Sequence, residues 1–366
     1  MTRLVYYNPY AVVNKFDKDF PGMDRFSQFF KIYNMRMMLS DRTDTIDLPI
    51  RTKTLFPLPK FKRTNETLEE ICDRRALELL ERAEKCGVRI YVLWSGGVDS
   101  TLVLVSLLKN ATNAQKNSLI VLLSEESITE YPYFYENHIR GRLNMEPTAI
   151  FPFVLGTKDI VTNGELGDQI FGSPFSTQAL MRMFGNSIIH EPYKKNILFE
   201  FYNAKTKDKE VTDFYLSLFN KLMLAAPVKI TTYFDYFWWL LFVLEWQACF
   251  MRILQFTREE NIKNITQEYI STNLAPFFGT EDFQMWSMNN LDKRIKDTSW
   301  DSYKWPSKDI IYNFTKDLNY YEQKGKEPSV SIWRQRTNQY NFIDESMKLH
   351  HELDTEKYYN SRNSFA

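Results

Sequence analysis

Residues 90–100 read IYVLWSGGVDS, an apolar run that passes directly into a glycine-rich turn. The run is rich in β-branched and aromatic residues, which is typical of a strand buried on both faces. The stretch TLVLVSLLK at 101–109 has the apolar content and the length of a buried helix. Glycines let the backbone approach an anion closely, and the positive end of a following helix attracts one. The stretch therefore predicts a phosphate site at the end of a buried strand.

The sequence on either side of this turn alternates between helix and strand patterns. A helix is predicted from near Thr64 to Gly87, and another over 127–140. Further apolar strands are predicted at 118–123, 148–154 and 160–162. Alternation of this kind favours an α/β fold with a doubly wound parallel sheet.

The C-terminal half has a different pattern, which is mostly helical and rich in aromatic residues. Helices are predicted near 180–185, 210–224, 233–256, 281–296 and 307–323. We therefore divide the chain into an irregular N-terminal extension (1–64), a main domain (65–345) and a polar tail (346–366). Within the main domain, 65–176 is the predicted α/β core and 177–345 the mostly helical part.

The bulk composition is that of an ordinary globular protein. Of the 366 residues, 44% are hydrophobic, and 46 Lys+Arg balance 46 Asp+Glu, so the formal net charge is zero. This balance favours neither a nucleic acid nor a membrane as the partner, and we expect neither. The cysteines, Cys72, Cys86 and Cys249, lie far apart without a CxxC pair, which indicates neither a zinc site nor a disulfide framework. With no apolar signal-like start, the pattern predicts a reducing, cytoplasmic location.

One apolar stretch, 237–256, has the length of a membrane-spanning helix. It contains Glu245, Gln247 and Arg252, each of which is costly to place in hydrocarbon. We therefore expect a buried helix of a globular protein at this position.

The polar residues of the glycine turn indicate its chemistry. No lysine follows the glycines, so the turn differs from the nucleotide loop GxxxxGK[ST], and it also lacks the dinucleotide pattern GxGxxG. A carboxylate inside a phosphate cradle needs a cation between itself and the phosphate, which makes Asp99 a candidate Mg²⁺ ligand. The residues expected to bind the phosphates through amides and hydroxyls are Ser95, Gly96, Gly97, Val98, Asp99 and Ser100.

SGGVDS after an apolar strand resembles the signature of the PP-loop ATP pyrophosphatases, whose fold is of the adenine nucleotide α-hydrolase-like type. A second stretch, 163–173, reads NGELGDQIFGS and resembles the GEGSDE-hydrophobic-FGG segment of asparagine synthetase and β-lactam synthetase. The resemblance implies that Gly164 belongs to the nucleotide-binding set and that Glu165 is the general base for the attacking amine. It also implies that Asp168 is a second Mg²⁺ ligand beside Asp99.

The resemblance has departures as well as matches. Leu166 and Gln169 stand where the family has glycine and glutamate, and 271–281 keeps the family's Pro-Phe pair without its arginine and aspartate. Arg336 stands where the family has a lysine that stabilises charge on the intermediate, and it would act there as a fixed cation. Leu123, at the end of the second predicted strand, is expected to contact adenine by analogy with related folds.

The family resemblance implies an ATP-dependent, AMP-forming ligase with ATP and Mg²⁺ as cofactors. Such an enzyme adenylates a small-molecule carboxylate and transfers the acyl group to ammonia or an amine, which forms an amide. Glutamine-dependent members begin with a cysteine nucleophile on a glutaminase domain, whereas residue 2 here is Thr2 and only 1–64 precede the synthetase-like part. We therefore expect the nitrogen to come from ammonia, a separate glutaminase subunit or an amine of the substrate.

Two other interpretations remain open. Another PP-loop chemistry, such as tRNA modification or sulfur transfer, fits the turn, although paired cysteines and a concentrated basic stretch are missing. A non-catalytic nucleotide-binding or assembly protein on the same fold would account for the arginine at 336. Intact acids at Asp99, Glu165 and Asp168 argue against that third interpretation.

Overall fold

The computed structural model describes residues 1–7, 25, 26, 29, 32, 38–172, 174–324, 342–350 and 352–360. The chain divides into two compact units. The first unit comprises Met1–Phe61, Asp168–Gln255 and Thr337–Ala366, and the second comprises Lys62–Gly167 and Phe256–Arg336. The domain boundaries predicted from composition stay a prediction.

Helices dominate the described chain, and most of the strands lie in the second unit. The strands are β1 (Leu4–Tyr7), β2 (Ile90–Leu93), β3 (Leu119–Leu123), β4 (Asn144–Pro147), β5 (Ile160–Thr162), β6 (Phe342–Asp344) and β7 (Leu349–His350). The α-helices are α1 (Leu68–Cys86), α2 (Val98–Asn110), α3 (Asn113–Lys116), α4 (Glu125–Glu130), α5 (Pro132–Phe134), α6 (Phe151–Val154), α7 (Gly167–Phe171), α8 (Pro174–Phe184), α9 (Lys195–Thr206), α10 (Lys209–Leu224), α11 (Tyr233–Leu244), α12 (Trp246–Met251), α13 (Glu259–Ile262), α14 (Gln267–Thr272), α15 (Glu281–Asn289), α16 (Trp305–Thr315), α17 (Leu318–Gln323) and α18 (Thr355–Tyr358).

A four-stranded parallel sheet in the order β4-β3-β2-β5 forms the centre of the second unit. β2 lies between β3 and β5, with Ile90 opposite Leu119 on one side and Ile160 on the other. β2 and β3 are buried almost throughout, because apolar side chains occupy both faces of an interior parallel strand. The parallel sheet confirms the α/β prediction and is compatible with a doubly wound arrangement.

Helix α1 begins at a capping box in the second unit. The Thr67 side chain accepts a hydrogen bond from the amide of Glu70, and the Glu70 carboxylate accepts one from the amide of Thr67 at 2.8 Å. Gly87 ends the helix in the left-handed conformation, with φ 62°, as predicted. The helix begins later than the predicted Thr64, because Glu70 has the spacing of a capping box from Thr67.

The third strand of the parallel sheet lies earlier in the chain than predicted. Residues 148–154, predicted as that strand, form a 3-10 turn and helix α6, whereas β4 precedes them. All residues of β4 are exposed, so this edge strand carries no apolar signal. Pro152 suits the first turn of α6, where its missing amide leaves no hydrogen bond unmade, but it would break a strand ladder.

The helix predicted over 127–140 is interrupted at Tyr131. Helix α4 ends before this residue, α5 begins after it at Pro132, and a π-helix follows over Tyr135–Ile139. Tyr131 has φ −145° and ψ 72°, because a following proline disfavours the helical region for the residue before it.

The first unit contains a three-stranded antiparallel sheet and aromatic-rich helices. Strand β6 lies between β1 and β7, and Leu4 pairs with Asp344. β1 lies within the segment predicted to be irregular, and β7 and α18 lie within the predicted tail. The sequence patterns also missed α9, whose residues were assigned to no element.

Helix α11 is buried around its whole circumference in the first unit. The segment 233–256, predicted as one helix, bends by 52° after Leu244, so that α12 begins a new direction at Trp246. No glycine or proline lies at this bend, so the sequence carried no signal for it. Within the described part of the chain, no single helix has the length and hydropathy to cross a membrane, and this bent pair passes only as two helices taken together.

Candidate functional site

The glycine turn after β2 has the backbone conformation that its glycines allow. Gly96 has φ +76°, and a Cβ placed there would lie 2.6 Å from the Ser127 carbonyl oxygen and 2.9 Å from Glu130 Cβ. Only glycine therefore fits at this position, for reasons of both conformation and space. Gly97 caps the N-terminus of α2, and Asp99 lies in the first turn of that helix. The turn therefore leads directly into the positive N-terminal end of α2, as the sequence predicted.

The two serines of the turn hold its shape. The amide of Ser95 donates to Ser100 Oγ at 3.0 Å, and the two hydroxyls lie 3.0 Å apart. Ser100 Oγ donates to the Gly97 carbonyl at 3.2 Å. These hydrogen bonds fix the shape of the loop from within, since their donors and acceptors all belong to the turn itself. The assignment of both serines to phosphate binding stays a prediction.

The second motif packs directly against this turn inside the second unit. A Cβ at Gly164 would lie 2.7 Å from the Ser100 amide nitrogen and 2.9 Å from the Asp99 carbonyl carbon. A Cβ at Gly167 would clash with the Asp99 carboxylate itself. The two glycines therefore allow the second motif to pack closely against Asp99 and Ser100. The structure joins two stretches that the sequence could relate only by resemblance.

Glu165 and Leu166 lie at the tip of the turn between those glycines. The Glu165 amide donates to Asn163 Oδ1 at 3.0 Å, and the Glu165 side chain is half-buried. Leu166 has φ +73°, a left-handed conformation that costs a leucine about 1–2 kcal/mol. The turn therefore keeps a glycine-like backbone at the position where the motif it resembles has glycine. The buried Leu166 side chain, 1% exposed, offsets part of that cost.

Asp99 is bound by a lysine that the sequence reasoning missed. Lys304 Nζ lies 2.8 Å from Asp99 Oδ1 and 2.6 Å from Oδ2, so it contacts both carboxylate oxygens. The Lys304 side chain is 6% exposed and that of Asp99 is 24% exposed. Because Lys304 directly precedes α16, which packs against α2, the ion pair joins two neighbouring elements. Nothing in its local sequence marks Lys304, since the contact spans two distant parts of the chain.

A second group of side chains holds the glycine turn from the region of α17. Tyr320 Oη donates to the Gly96 carbonyl at 3.1 Å, and its ring stacks on that of Tyr131 with centroids 3.6 Å apart. Burial raises the pKa of Tyr320 well above its usual value, so the phenol stays protonated as a donor. Lys324 Nζ lies 2.6 Å from Glu130 Oε1, in a pair with almost no exposure. Residues some two hundred positions later in the chain therefore support the turn.

The remaining predicted site residues are Leu123, Asp168 and Arg336. Leu123 ends β3 and is half-buried, and its contact with adenine stays a prediction. Asp168 lies in the first unit, where it is a neighbour of the buried Glu245. Burial raises the pKa of Glu245 to about 8, Arg252 opposes this shift, and Asp168 adds to it. Arg336 lies outside the described residues.

Gln169, which departs from the family pattern, has a structural contact in the first unit. Its Nε2 donates to Cys249 Sγ at 2.9 Å, and both residues are buried. A neutral amide suits this buried environment better than the family's glutamate, whose charge would have to be compensated there.

Magnesium fits the second unit only together with the phosphates of a ligand. Among the residues that the structure describes, no three His, Cys, Asp or Glu side chains cluster closely enough to hold a metal. Magnesium is commonly bound by one or two carboxylates and by substrate phosphates, so Asp99 beside the cradle is a suitable partner. The predicted sharing of one ion by Asp99 and Asp168 stays a prediction.

Comparison of this chain with family models, with curated proteins and with solved structures finds no match.

Proposed function

We propose that the chain is an ATP-dependent, AMP-forming ligase of the asparagine synthetase type, on a PP-loop nucleotide fold. The observation that carries the proposal is the packing of Gly164 and Gly167 against Ser100 and Asp99. Two motifs that resemble consecutive parts of one family's active site meet in one place, and a side chain at Gly164 would collide with the backbone of Asp99 and Ser100.

The proposed first step is adenylation of a substrate carboxylate. A carboxylate oxygen attacks the α-phosphorus of ATP, the bond to the β-phosphate bridging oxygen breaks, and pyrophosphate leaves with its electron pair. The amides of Gly96 and Gly97, the hydroxyls of Ser95 and Ser100 and the N-terminus of α2 bind that leaving group. Asp99 would hold magnesium, whose positive charge would stabilise the triphosphate, and the family resemblance gives Asp168 as the second expected ligand.

The proposed second step forms the amide. An amine or ammonia attacks the acyl carbon of the adenylate, and AMP leaves with the electron pair of the broken bond. Glu165 accepts the proton that the nitrogen loses, which its half-buried position at the tip of the turn allows. Arg336 would act as a fixed cation near the intermediate. Ammonia, an amine of the substrate or a separate glutaminase would supply the nitrogen.

The test uses hydroxylamine as a general acceptor with a panel of carboxylic and amino acids. We expect AMP and pyrophosphate in equal amounts, together with a hydroxamate and without ADP. Glu165→Gln should keep carboxylate-dependent exchange of pyrophosphate into ATP but slow hydroxamate formation by about 10²–10⁴-fold. Asp99→Asn should abolish pyrophosphate release, and Cys86→Ser, at an exposed free cysteine, is the control. Formation of ADP and phosphate, or full activity of Asp99→Asn, would contradict the proposal.

One observation favours a second candidate, a non-catalytic nucleotide-binding or assembly protein. The Lys304 ammonium already neutralises Asp99, so the loop has a stable arrangement that requires no ligand. Calorimetry with α,β-methylene-ATP and Mg²⁺, followed by the hydroxylamine assay, separates the candidates. Binding without turnover of any carboxylate would favour this candidate. Another PP-loop chemistry, tRNA modification or sulfur transfer, would instead require a nucleic acid or sulfur donor in the same assay.

A further inference from the structure

Lys304 has a backbone conformation that lysine rarely adopts, and it lies at a helix end that disfavours a positive charge. It has φ 60° and ψ 28°, which is the left-handed region, and it is the N-cap of α16 without a side-chain capping bond. A lysine at the N-terminus of a helix also places its charge at the positive end of the helix dipole. Lys316, at the other end of α16, shares the left-handed conformation with φ 58°, but it is exposed and lies at the favourable C-terminal end.

The loop before Lys304 is built to hold it in this conformation. The Lys304 amide donates to the Arg294 carbonyl at 2.9 Å, which closes the base of the loop. Inside the loop, Ser302 Oγ accepts hydrogen bonds from the amides of Lys296 and Asp297 at 3.2 and 3.3 Å. A non-glycine residue in a strained conformation persists only where its surroundings determine it, and such residues gather at functional positions.

The ammonium of Lys304 takes the place at Asp99 where a metal would bind. Both carboxylate oxygens lie within 2.8 Å of Nζ, so the ammonium occupies the position from which a divalent cation would contact both of them. The pair is largely removed from solvent, since the lysine side chain is 6% exposed. Asp99 is only partly exposed, at 24%, so loss of its cationic partner would leave a partly desolvated carboxylate, which is unfavourable.

We propose that Lys304 is a placeholder cation, which occupies Asp99 in the nucleotide-free protein and leaves it when Mg²⁺ arrives with the triphosphate. The inference rests on the proposed function, because it requires Asp99 to be a magnesium ligand of a nucleotide site. It explains why a lysine stands at a helix N-cap in the left-handed region, where asparagine or glycine would be favoured. The exchange couples the binding of magnesium and nucleotide, because magnesium replaces the ammonium at Asp99 and the triphosphate supplies further ligands to the ion.

The experiment measures how much Mg²⁺ is needed for binding of α,β-methylene-ATP, which resists cleavage between the α- and β-phosphates. Lys304→Asn removes the ammonium while placing at the N-cap a residue that tolerates the left-handed region. We expect the half-saturating Mg²⁺ concentration to fall about tenfold or more, because a site open only a tenth of the time binds about tenfold more weakly. Lys316→Asn makes the same change in the same conformation away from Asp99 and should leave the wild-type value within about twofold.

Lys304→Gly, which suits the left-handed conformation even better, should reproduce the fall and guards against a folding defect of the asparagine variant. An unchanged or raised magnesium requirement in both variants, with nucleotide still bound, would overturn the placeholder role and leave the proposed function standing. Absence of nucleotide binding in the wild type and in every variant, at any Mg²⁺ concentration, would overturn the proposed function and the placeholder role together.

Discussion

The glycine turn at 95–100 and the loop that ends at Lys304 meet in one ion pair, yet they obey local rules in opposite ways. In the turn, a buried strand, glycine at a positive φ and a helix N-terminus all agree with the residues present. At Lys304, a long cationic residue lies in a conformation and at a helix end that both disfavour it. The conformation of the first region agrees with its local sequence, whereas that of the second is compensated by its partner.

The difference between these regions shows which features a short stretch of sequence can predict and which it cannot. When every local preference agrees with the fold, a short window of sequence contains most of the information. When a residue breaks local preferences, the compensation comes from a residue far away in sequence, here Asp99 for Lys304. Such breaks are expected at functional positions, so the exceptions are more informative about function than the matches.

The largest expected effect is on stability, at Gly96, where the cost of a left-handed backbone can be separated from the cost of a steric clash. Gly96→Ala should destabilise the protein by about 3 kcal/mol, because it adds both left-handed strain and a clash with the Ser127 carbonyl. Gly87→Ala is the matched control: φ is +62° there, but a Cβ would meet nothing within 4 Å, so about 1 kcal/mol is expected. Urea unfolding of both variants measures the difference, and equal costs would show that the turn is less tightly packed than the structure indicates.

An intermediate effect is expected from the ion pair between the regions. A double-mutant cycle with Asp99→Asn and Lys304→Asn should give a coupling free energy of about 2 kcal/mol, reduced from that of a fully buried pair by the partial exposure of Asp99. Each single variant leaves one charge without its partner, whereas the double variant leaves none. The cycle is measured by thermal or urea unfolding without nucleotide, and a coupling near zero would remove the ion pair as the reason for the conformation of Lys304.

The smallest effect tests a purely local rule near the start of the second unit. Thr67→Ala removes the capping hydroxyl of α1 and should cost about 1 kcal/mol of unfolding free energy. Thr64→Ala, at the position where the pattern predicted the helix start, should change the stability by less than about 0.5 kcal/mol. Circular dichroism during urea unfolding compares the two. A larger cost at Thr64 would move the effective helix start back to the predicted residue.

The elements that could be predicted from the sequence share strong apolar patterns. β2, β3 and β5 and the end of α1 at Gly87 lie at or within a residue of their predicted positions. β4 was misplaced because its residues are all exposed and the apolar run after it forms a helix turn. The pairing of β1 with β6 could not be predicted, because it joins short segments from opposite ends of the chain.

The residues of the candidate site also divide into those predicted from sequence motifs and those that were missed. Ser95 to Ser100, Gly164 and Glu165 were singled out from motifs, and the structure places these stretches in contact within one unit. Lys304, Tyr320 and Lys324 were missed because each belongs to no motif and reaches the turn only through the packing of the helices.

The amino-acid sequence by itself determined the buried parallel strands, the glycine turn and the acids beside it, because these depend on residue type within a few positions. Tertiary structure alone decided that the turn of Gly164 to Gly167 packs on Asp99, and that Lys304 neutralises this carboxylate. The physical reason is that close packing and ion pairing depend on distances between atoms, and residues far apart in sequence acquire those distances only when the chain folds.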